Sequence, residues 1–162
     1  MKEVLAFCRP DDKCWKYSRY FDGGRLEDAV FYKCEFYAVN YLGHIFHLDC
    51  NIGAARKLSC LLPIEILERV HHNYLVELDG NLLVVLRYTR GEFTSGFQVY
   101  ELNWVEKVWI NVKNIGNNAI LLGKSSSISL PINHLRNFKA NCIYFLWDNL
   151  TGSYRATDVA NY

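Results

Sequence analysis

The strongest constraint on the fold is a two-residue alternation of side-chain character that recurs in short runs along most of the chain. Runs such as "NLLVVLRYT" (81–89) and "GFQVYELNW" (96–104) are rich in β-branched and aromatic residues. This period predicts β-strands, because successive side chains of a strand point to opposite faces of a sheet. Aromatic residues make up 15% of the chain, a content that favours pleated, half-buried surfaces. The sequence therefore predicts an all-β fold.

Turn residues separate these runs at intervals that indicate a repeat. One family of turns is predicted at Gly43, Gly80 and Ser125, which are 37 and 45 residues apart. A second family is predicted at Glu106 and Thr151, again 45 residues apart. Four short strands in about 40 to 50 residues are typical of a β-propeller blade, in which each sheet covers its faces by stacking on the next.

We predict one partial β-propeller domain over residues 1–162. It would contain about three four-stranded antiparallel blades, at roughly 26–72, 73–114 and 117–162, with 1–25 as the remnant of a preceding blade. Such a chain begins within a blade, and its open edges and apolar end faces favour self-association. The number of blades in the parent protein and the oligomeric state stay open.

The segment "LPIEILERV" (62–70) is the one helical candidate. Pro63 suits the first turn of a helix, and the apolar spacing is roughly helical. The segment resembles the first turns of an F-box, but no further F-box helices follow and a strand pattern begins four residues later. We expect a segment that crosses between blades, for which an outer strand is one form.

Four residues with zinc-binding side chains lie in "FYKCEFYAVNYLGHIFHLDC" (31–50): Cys34, His44, His47 and Cys50. Strand alternation places His44 and His47 on opposite faces, and His44 and Cys50 roughly 20 Å apart at about 3.3 Å per residue. Zinc ligands must all come within about 2.0–2.3 Å of one ion. We predict a structural hairpin and no metal ligands, and a small metal-dependent hydrolase remains the remote alternative.

Other catalytic or cofactor motifs are absent from the sequence. It contains no nucleophile elbow, Walker loop, dinucleotide fingerprint or CxxC pair. His71 and His72 diverge if they lie in a strand, and the serines at 125–127 predict a hairpin tip. Glu27 and Asp28 lie in a turn-like segment and are interpreted as capping groups. We predict that the protein is not an enzyme, with no catalytic residue and no cofactor.

The four tryptophans have two interpretations. They could form a binding platform, or they could pack between blades, which is the more common role of large aromatic residues in stacked sheets. They are Trp15, Trp104, Trp109 and Trp147.

Charge and hydropathy exclude several partners. The chain has 18 Lys and Arg against 17 Asp and Glu, a net charge of +1, which gives no broad reason to bind nucleic acid or an anionic membrane. No stretch approaches the roughly 20 apolar residues of a membrane span, and "MKEVLAFCRPDDK" lacks the core of a secretory signal. We therefore predict an intracellular protein, cytoplasmic or nuclear, whose six cysteines are reduced thiols.

Several motifs follow one another in an order seen in a plant family. They are "EVLAFCRPDDKCWKY", "AVFYKCEFYAVNYLGHIF", "YLVELDGNLLVVLRY" and "NCIYFLWDN". The most specific part runs from Trp104 through Val108-Trp109 and Ile115-Gly116 to Gly123 and then Cys142–Phe145. Over nearly its whole length the chain resembles the kelch-like β-propeller domain of plant F-box proteins, catalogued as domain of unknown function 295.

The resemblance implies a function and the roles of several residues. In this family the F-box binds the adaptor of an SCF-type ubiquitin ligase, and the propeller is thought to choose the protein to be ubiquitinated. The F-box has no counterpart here, so adaptor binding is not expected, and the family has no catalytic residues to carry over. The implied structural roles are outer-strand packing for Trp15 and Trp109, turns or close approaches at Gly116 and Gly123, and core aromatics at Tyr37 and Tyr144.

The sequence and the resemblance together predict a non-catalytic protein-interaction module, similar to the substrate-recognition propeller of F-box proteins. The alternative is a truncated gene copy, or a fragment of a longer gene, without an independent function. The partner is expected to be a protein. Neither its identity nor the residues of the binding face follow from the sequence.

Overall fold

The structure is a computed structural model that describes residues 6–8, 10–17, 24–58, 62–91, 93–133, 135–147 and 150–155. At residues 64, 146, 147 and 150–155 only the backbone is described. Strands β1 (Ala6–Phe7) and β2 (Lys16–Tyr17) pair as a two-stranded ribbon, and the remaining strands form three four-stranded sheets.

The first two sheets are antiparallel meanders. The first sheet contains β3 (Leu26–Tyr32), β4 (Glu35–Asn40), β5 (Ile45–Asp49) and β6 (Ala54–Leu58), paired in that order. The second contains β7 (Val70–Leu78), β8 (Asn81–Arg90), β9 (Phe93–Asn103) and β10 (Val108–Val112), also in chain order. Between them, α1 (Ile64–Leu67) is a single helical turn. The segment predicted to cross between blades therefore does so as a short helix.

The third sheet contains β11 (Asn118–Leu122), β12 (Ser127–Pro131), β13 (Cys142–Trp147) and β14 (Leu150–Arg155). Its spatial order is β12-β11-β13-β14, and β11 pairs in parallel with β13. The chain thus forms two hairpins side by side in this sheet and does not follow a simple meander.

Three apolar clusters of described residues pack on the faces of the sheets. The first lies between the first and second sheets and includes Tyr32, Tyr37, Val84 and Trp109. The second lies between the second and third sheets and includes Phe97, Ile120 and Phe145. The third covers the opposite face of the first sheet, around Phe46. In the inner strands of the first and second sheets, successive side chains enter different clusters, so both faces of these strands are buried.

One edge strand of each sheet lies on the same side of the stack. Strand β7 contacts both β3 and β12. The side chain of Asp28 on β3 accepts the backbone N–H of Leu75 at 2.9 Å, and the Ser129 hydroxyl on β12 donates to the carbonyl of Glu77 at 2.6 Å. Neighbouring sheets related in this way are the blades of a propeller. The predicted fold class, an all-β partial β-propeller, is confirmed.

The predicted turn families need correction. Asp79-Gly80, with φ of 49° and 79°, is the first turn of the second sheet, but Gly43 lies in the second turn of the first sheet. The true counterpart of Asp79-Gly80 is Lys33-Cys34, with φ of 48° and 65°. That pair contains no glycine, so the usual sequence signal of this hairpin turn is missing. Thr151 lies within β14 opposite Leu146.

Strand β6 was not predicted from the sequence. Its residues, "AARKL", carry no apolar alternation, and the strand is defined by its antiparallel pairing with β5. The only helix in the described ranges is the four-residue α1, so nothing there has the length and apolar character of a membrane-spanning helix.

Candidate functional site

The four residues with zinc-binding side chains lie apart in the first sheet. The ring of His47 is 5.5 Å from that of Tyr37, whereas Nε2 of His44 is 3.2 Å from Nζ of Lys57 on the other face. Cys34 is exposed in the β3–β4 turn, and Cys50 follows β5. Within the described ranges no group of three or more His, Cys, Asp or Glu side chains is arranged to hold a metal ion.

Two of the histidines, His44 and His72, have environments that disfavour their charged forms. Partial burial, and then the nearby Lys57 ammonium, lower the pKa of His44. Burial also lowers the pKa of His72, against the opposing effect of Glu27, whose carboxylate oxygen is 3.9 Å from Nδ1 of His72. His71 is exposed on β7. The adjacent histidines therefore differ in environment, as divergent strand positions predict.

Two carboxylates of β3 hold the backbone of β7. Glu27 accepts the N–H of Asn73 at 2.7 Å, and Asp28 accepts the N–H groups of Leu75 and Ala29. Burial raises the pKa of Asp28, although these two backbone hydrogen bonds act in the opposite direction. Both carboxylates lie within β3, so their predicted place in a turn is wrong, and they join two sheets instead of capping a turn.

The tryptophans whose side chains are described differ in whether they are buried as packing residues or exposed at the surface. Trp109 is buried in the first cluster, as predicted for a packing residue. Trp15 is 59% exposed, so its predicted packing role is wrong. Trp104 is 36% exposed and lies between the first and second sheets, while the side chain of Trp147 lies outside the described part.

The glycines and tyrosines singled out by the family resemblance can also be placed. Gly116 has a φ of 67°, and a Cβ on Gly123 would lie 2.7 Å from the carbonyl oxygen of Ser126. These are the expected turn and close-approach positions. Tyr37 is a core residue, as predicted, whereas the prediction for Tyr144 is wrong: it is half-buried, with its ring 4.8 Å from that of Phe138.

A pocket opens between the outer part of the first sheet and the β9–β10 turn of the second. Its volume is about 220 Å³. The lining residues, called the aromatic pocket below, are Glu35, Tyr37, His47, Arg56, Leu58, Trp104 and Lys107.

The floor of the aromatic pocket follows from strand register. Tyr37 on β4 is paired with His47 on β5, which is in turn paired with Arg56 on β6. Side chains at paired positions share a face, so these three form a row across the sheet. Glu35 and Leu58 lie two residues along their strands and therefore project from the same face.

The wall of the aromatic pocket is supplied by the β9–β10 turn. The side-chain oxygen of Asn103 accepts the N–H groups of Val105 and Glu106, and its carbonyl accepts the N–H of Lys107 at 2.8 Å. These bonds fix a turn that carries Trp104 and Lys107. The indole stacks on Tyr32 at 5.8 Å and meets Tyr37 nearly edge-on at 5.3 Å.

The polar groups of the aromatic pocket differ in how far they are already bonded. Glu35 accepts a hydrogen bond from the Tyr37 hydroxyl at 2.9 Å and lies 3.3 Å from Nε2 of His47. Burial, followed by the hydrogen bond and the charge of Glu35, raises the pKa of Tyr37 to about 12. Tyr37 is therefore a protonated donor near neutral pH. In the described part of the chain, neither Arg56 nor Lys107 forms an ion pair with a carboxylate.

The described lining of the aromatic pocket combines aromatic rings, two cations and one carboxylate. No serine, threonine or cysteine is among the described residues that line the aromatic pocket. Tyr37, His47 and Trp104 were candidates from the sequence, each for a separate reason, whereas Glu35, Arg56 and Lys107 were not. The signal that could have found them is the strand register, which required β6 to be recognised.

The stacked four-stranded sheets, with their inner edges in contact, define a protein of the β-propeller class. Within that class the chain belongs to the KIB1-4 β-propeller family, which residues 1–162 match. The resemblance to F-box-associated propellers is thereby confirmed.

The similar curated proteins come from Arabidopsis thaliana and carry F-box names. "Putative F-box protein At5g55150" is 30% identical over 150 residues, which cover 88% of this chain and 41% of that protein. "F-box protein At2g26160" is 25% identical over 139 residues, covering 78% and 40%. "F-box protein At4g35733" is 24% identical over 135 residues, covering 76% and 38%. The chain spans about two fifths of the length of these relatives.

Proposed function

We propose that the chain is a non-catalytic protein-binding module that selects a protein for an F-box-type ubiquitin ligase. Two findings support this role: the chain belongs to a β-propeller family, and proteins similar to the chain are named F-box proteins. Adaptor binding is not assigned to the propeller residues, because in the proposed division of labour it belongs to an F-box. The proposed compartment is the cytoplasm or the nucleus.

The observation that carries the proposal is the aromatic pocket at the junction of the first two sheets. Trp104 is partly exposed yet held by two ring contacts, and Arg56 lies nearby on the pocket floor. Tryptophan, tyrosine and arginine are the residues most enriched at the energetic centres of protein interfaces. A held aromatic side chain also loses little conformational freedom when a partner binds.

The test is affinity capture from plant cells with the tagged 162-residue chain, followed by quantitative mass spectrometry. We expect at least one protein that is enriched with the wild type and lost with Trp104→Ala. Trp15→Ala is the matched control, because Trp15 is exposed and does not line the pocket. This control should retain the partner.

Capture of the same proteins by the wild type, by Trp104→Ala and by the tag alone would contradict the proposal. That result would favour the alternative, a fragment without an independent function. Thermal melting of each variant distinguishes a lost surface from a lost fold.

A further inference from the structure

We propose that the aromatic pocket binds an acidic side chain of a partner peptide, with the carboxylate between Arg56 and Lys107. This inference rests on the proposed function and names the chemistry that the binding module recognises.

The size of the pocket limits its occupant. Sites for drug-sized ligands and cofactors have volumes of roughly 300–1,000 Å³. The aromatic pocket, at about 220 Å³, is smaller than these sites. Its volume suits one or two side chains of a peptide better than a nucleotide or another cofactor.

The charges of the pocket determine the sign of the occupant. Arg56 and Lys107 bring two positive charges from different sheets, and no described carboxylate forms an ion pair with either. Among the described lining residues the one carboxylate is that of Glu35, which already accepts a hydrogen bond from Tyr37 and is next to His47. A carboxylate can therefore gain charge-assisted hydrogen bonds from both cations.

The same cations argue against the opposite ligand. Aromatic rings beside a carboxylate can also bind a lysine or methyl-lysine cation. Here Trp104 and Tyr37 would supply the rings and Glu35 the carboxylate. Arg56 and Lys107 line the same small volume, however, and would repel a positively charged ligand.

The apolar part of the pocket defines the residue next to the acid. Leu58 and the exposed part of Trp104 line the pocket with the cations. They can contact an apolar or aromatic side chain beside the carboxylate while the rings of Tyr32 and Tyr37 hold the indole in place. The expected recognition element is therefore an acidic residue adjacent to an apolar one.

The test uses an array of short synthetic peptides probed with the labelled 162-residue chain. One set carries Asp or Glu at the centre, and matched sets carry Asn or Gln, Lys, or phosphoserine, with apolar and polar residues varied on either side. The best acidic peptide and its amide counterpart are then measured in solution by fluorescence anisotropy. We expect the acidic peptide to bind about tenfold more tightly, as the loss of a charge-assisted hydrogen bond predicts.

Matched variants locate the binding. Arg56→Gln and Lys107→Gln should each weaken binding of the acidic peptide about tenfold and leave the amide peptide nearly unchanged. Lys57→Gln is the control for Arg56, because Lys57 lies on the same strand but contacts His44 on the opposite face. Lys113→Gln is the control for Lys107, because Lys113 is also exposed and does not line the pocket.

Three results would overturn the inference: equal binding of acidic and amide peptides, a preference for the lysine set, or no effect of Arg56→Gln and Lys107→Gln. Tighter binding of phosphoserine peptides than of acidic ones would overturn the assignment to a carboxylate. None of these results contradicts the proposed function, which fails if affinity capture recovers the same proteins with the wild type, with Trp104→Ala and with the tag alone.

Discussion

The indole of Trp104 lies almost parallel to the ring of Tyr32, with 5.8 Å between ring centroids and 4° between ring planes. Tyr32 ends a strand of the first sheet, whereas Trp104 belongs to a turn of the second. The Tyr32 hydroxyl also donates to the carbonyl of Gly80 at 2.7 Å, in another turn of the second sheet. One tyrosine thus connects two turns of the neighbouring blade, and it holds the tryptophan that forms the wall of the aromatic pocket.

Trp104→Ala should lower the free energy of unfolding by about 2 kcal/mol. The variant loses the contacts with Tyr32 and Tyr37, and aromatic pairs contribute about 0.5–1.5 kcal/mol each beyond their buried area. Urea denaturation measures the change. Val105→Ala is the control, because Val105 is next in the chain and 92% exposed, so its effect should stay within about 0.5 kcal/mol. Equal stabilities of the two variants would contradict the role of the stack.

Asp28→Asn should alter how stability depends on pH. Burial raises the pKa of Asp28 above its ordinary value of 3.8. The folded state therefore binds this proton more tightly than the unfolded state, and protonation favours folding as pH falls from neutral through the raised pKa towards 3.8. Urea denaturation between about pH 7 and pH 4 should show wild type gaining stability relative to Asp28→Asn. A difference that is constant with pH would show that the hydrogen bonds from Leu75 and Ala29 offset burial, and a change in the opposite direction would show that they outweigh it.

The strand pattern of the sequence predicted the fold because local and tertiary preferences agree in most strands. In β8, "LLVVL" faces two apolar clusters, so its side chains carry the signal of burial. Strand β6 could not be predicted in this way, because "AARKL" is exposed or half-exposed and the strand depends on pairing with β5. The parallel pairing of β11 with β13 likewise depends on long-range contacts, and no local sequence pattern indicates it.

The aromatic pocket could not be predicted for the same reason. Arg56 lines the pocket because the register of three paired strands places it beside His47 and Tyr37. Lys107 lines the pocket because Asn103 fixes the turn that carries it. The two cations come from different sheets, and nothing in the local sequence of either residue indicates that they meet. Strand parity was sufficient to separate His44 from His47, because that argument needs only the alternation along β5 and the residue before it.

The titration of His44 reports on the face of β6 that is opposite to the aromatic pocket. Partial burial and the nearby Lys57 lower the pKa of His44 below its ordinary value of 6.5. The unfolded state therefore binds the proton more readily than the folded state does. Above pH 6.5 the neutral His44 does not oppose folding, and the folded state loses stability as pH falls from 6.5 through the lower folded pKa. Proton NMR should record a pKa below 6.5 in the wild type and a higher pKa in Lys57→Gln. An unchanged pKa in that variant would exclude Lys57 as a cause.

Gly43 and Gly116 offer a matched pair that separates backbone strain from steric overlap. Their φ angles are 71° and 67°, but a Cβ on Gly43 would lie 2.4 Å from Cδ1 of Leu62, whereas a Cβ on Gly116 would meet no heavy atom within 4 Å. Gly116→Ala should cost about 1 kcal/mol from backbone strain alone. Gly43→Ala should cost about 1–3 kcal/mol more, because Leu62 is buried and must move.

Combining Gly43→Ala with Leu62→Ala checks the origin of that additional cost. Removal of the leucine side chain leaves space for the new methyl group, so the double variant should be more stable than the sum of the single effects predicts. Strictly additive effects in urea denaturation would indicate that the Gly43 substitution acts through the backbone only.

The exposed pair Phe31 and Phe36 should promote self-association. These residues are paired across β3 and β4, are 57% and 44% exposed, and have ring centroids 4.9 Å apart. Exposed apolar groups on a sheet face favour contact with a second copy, since burial removes their surface from water. Sedimentation velocity at increasing concentration should detect oligomers of the wild type and fewer of Phe31→Ser. Phe93→Ser is the control, because Phe93 is similarly exposed but lies on a different sheet. A wild type that stays monomeric at high concentration, or equal association of both variants, would contradict this role of the pair.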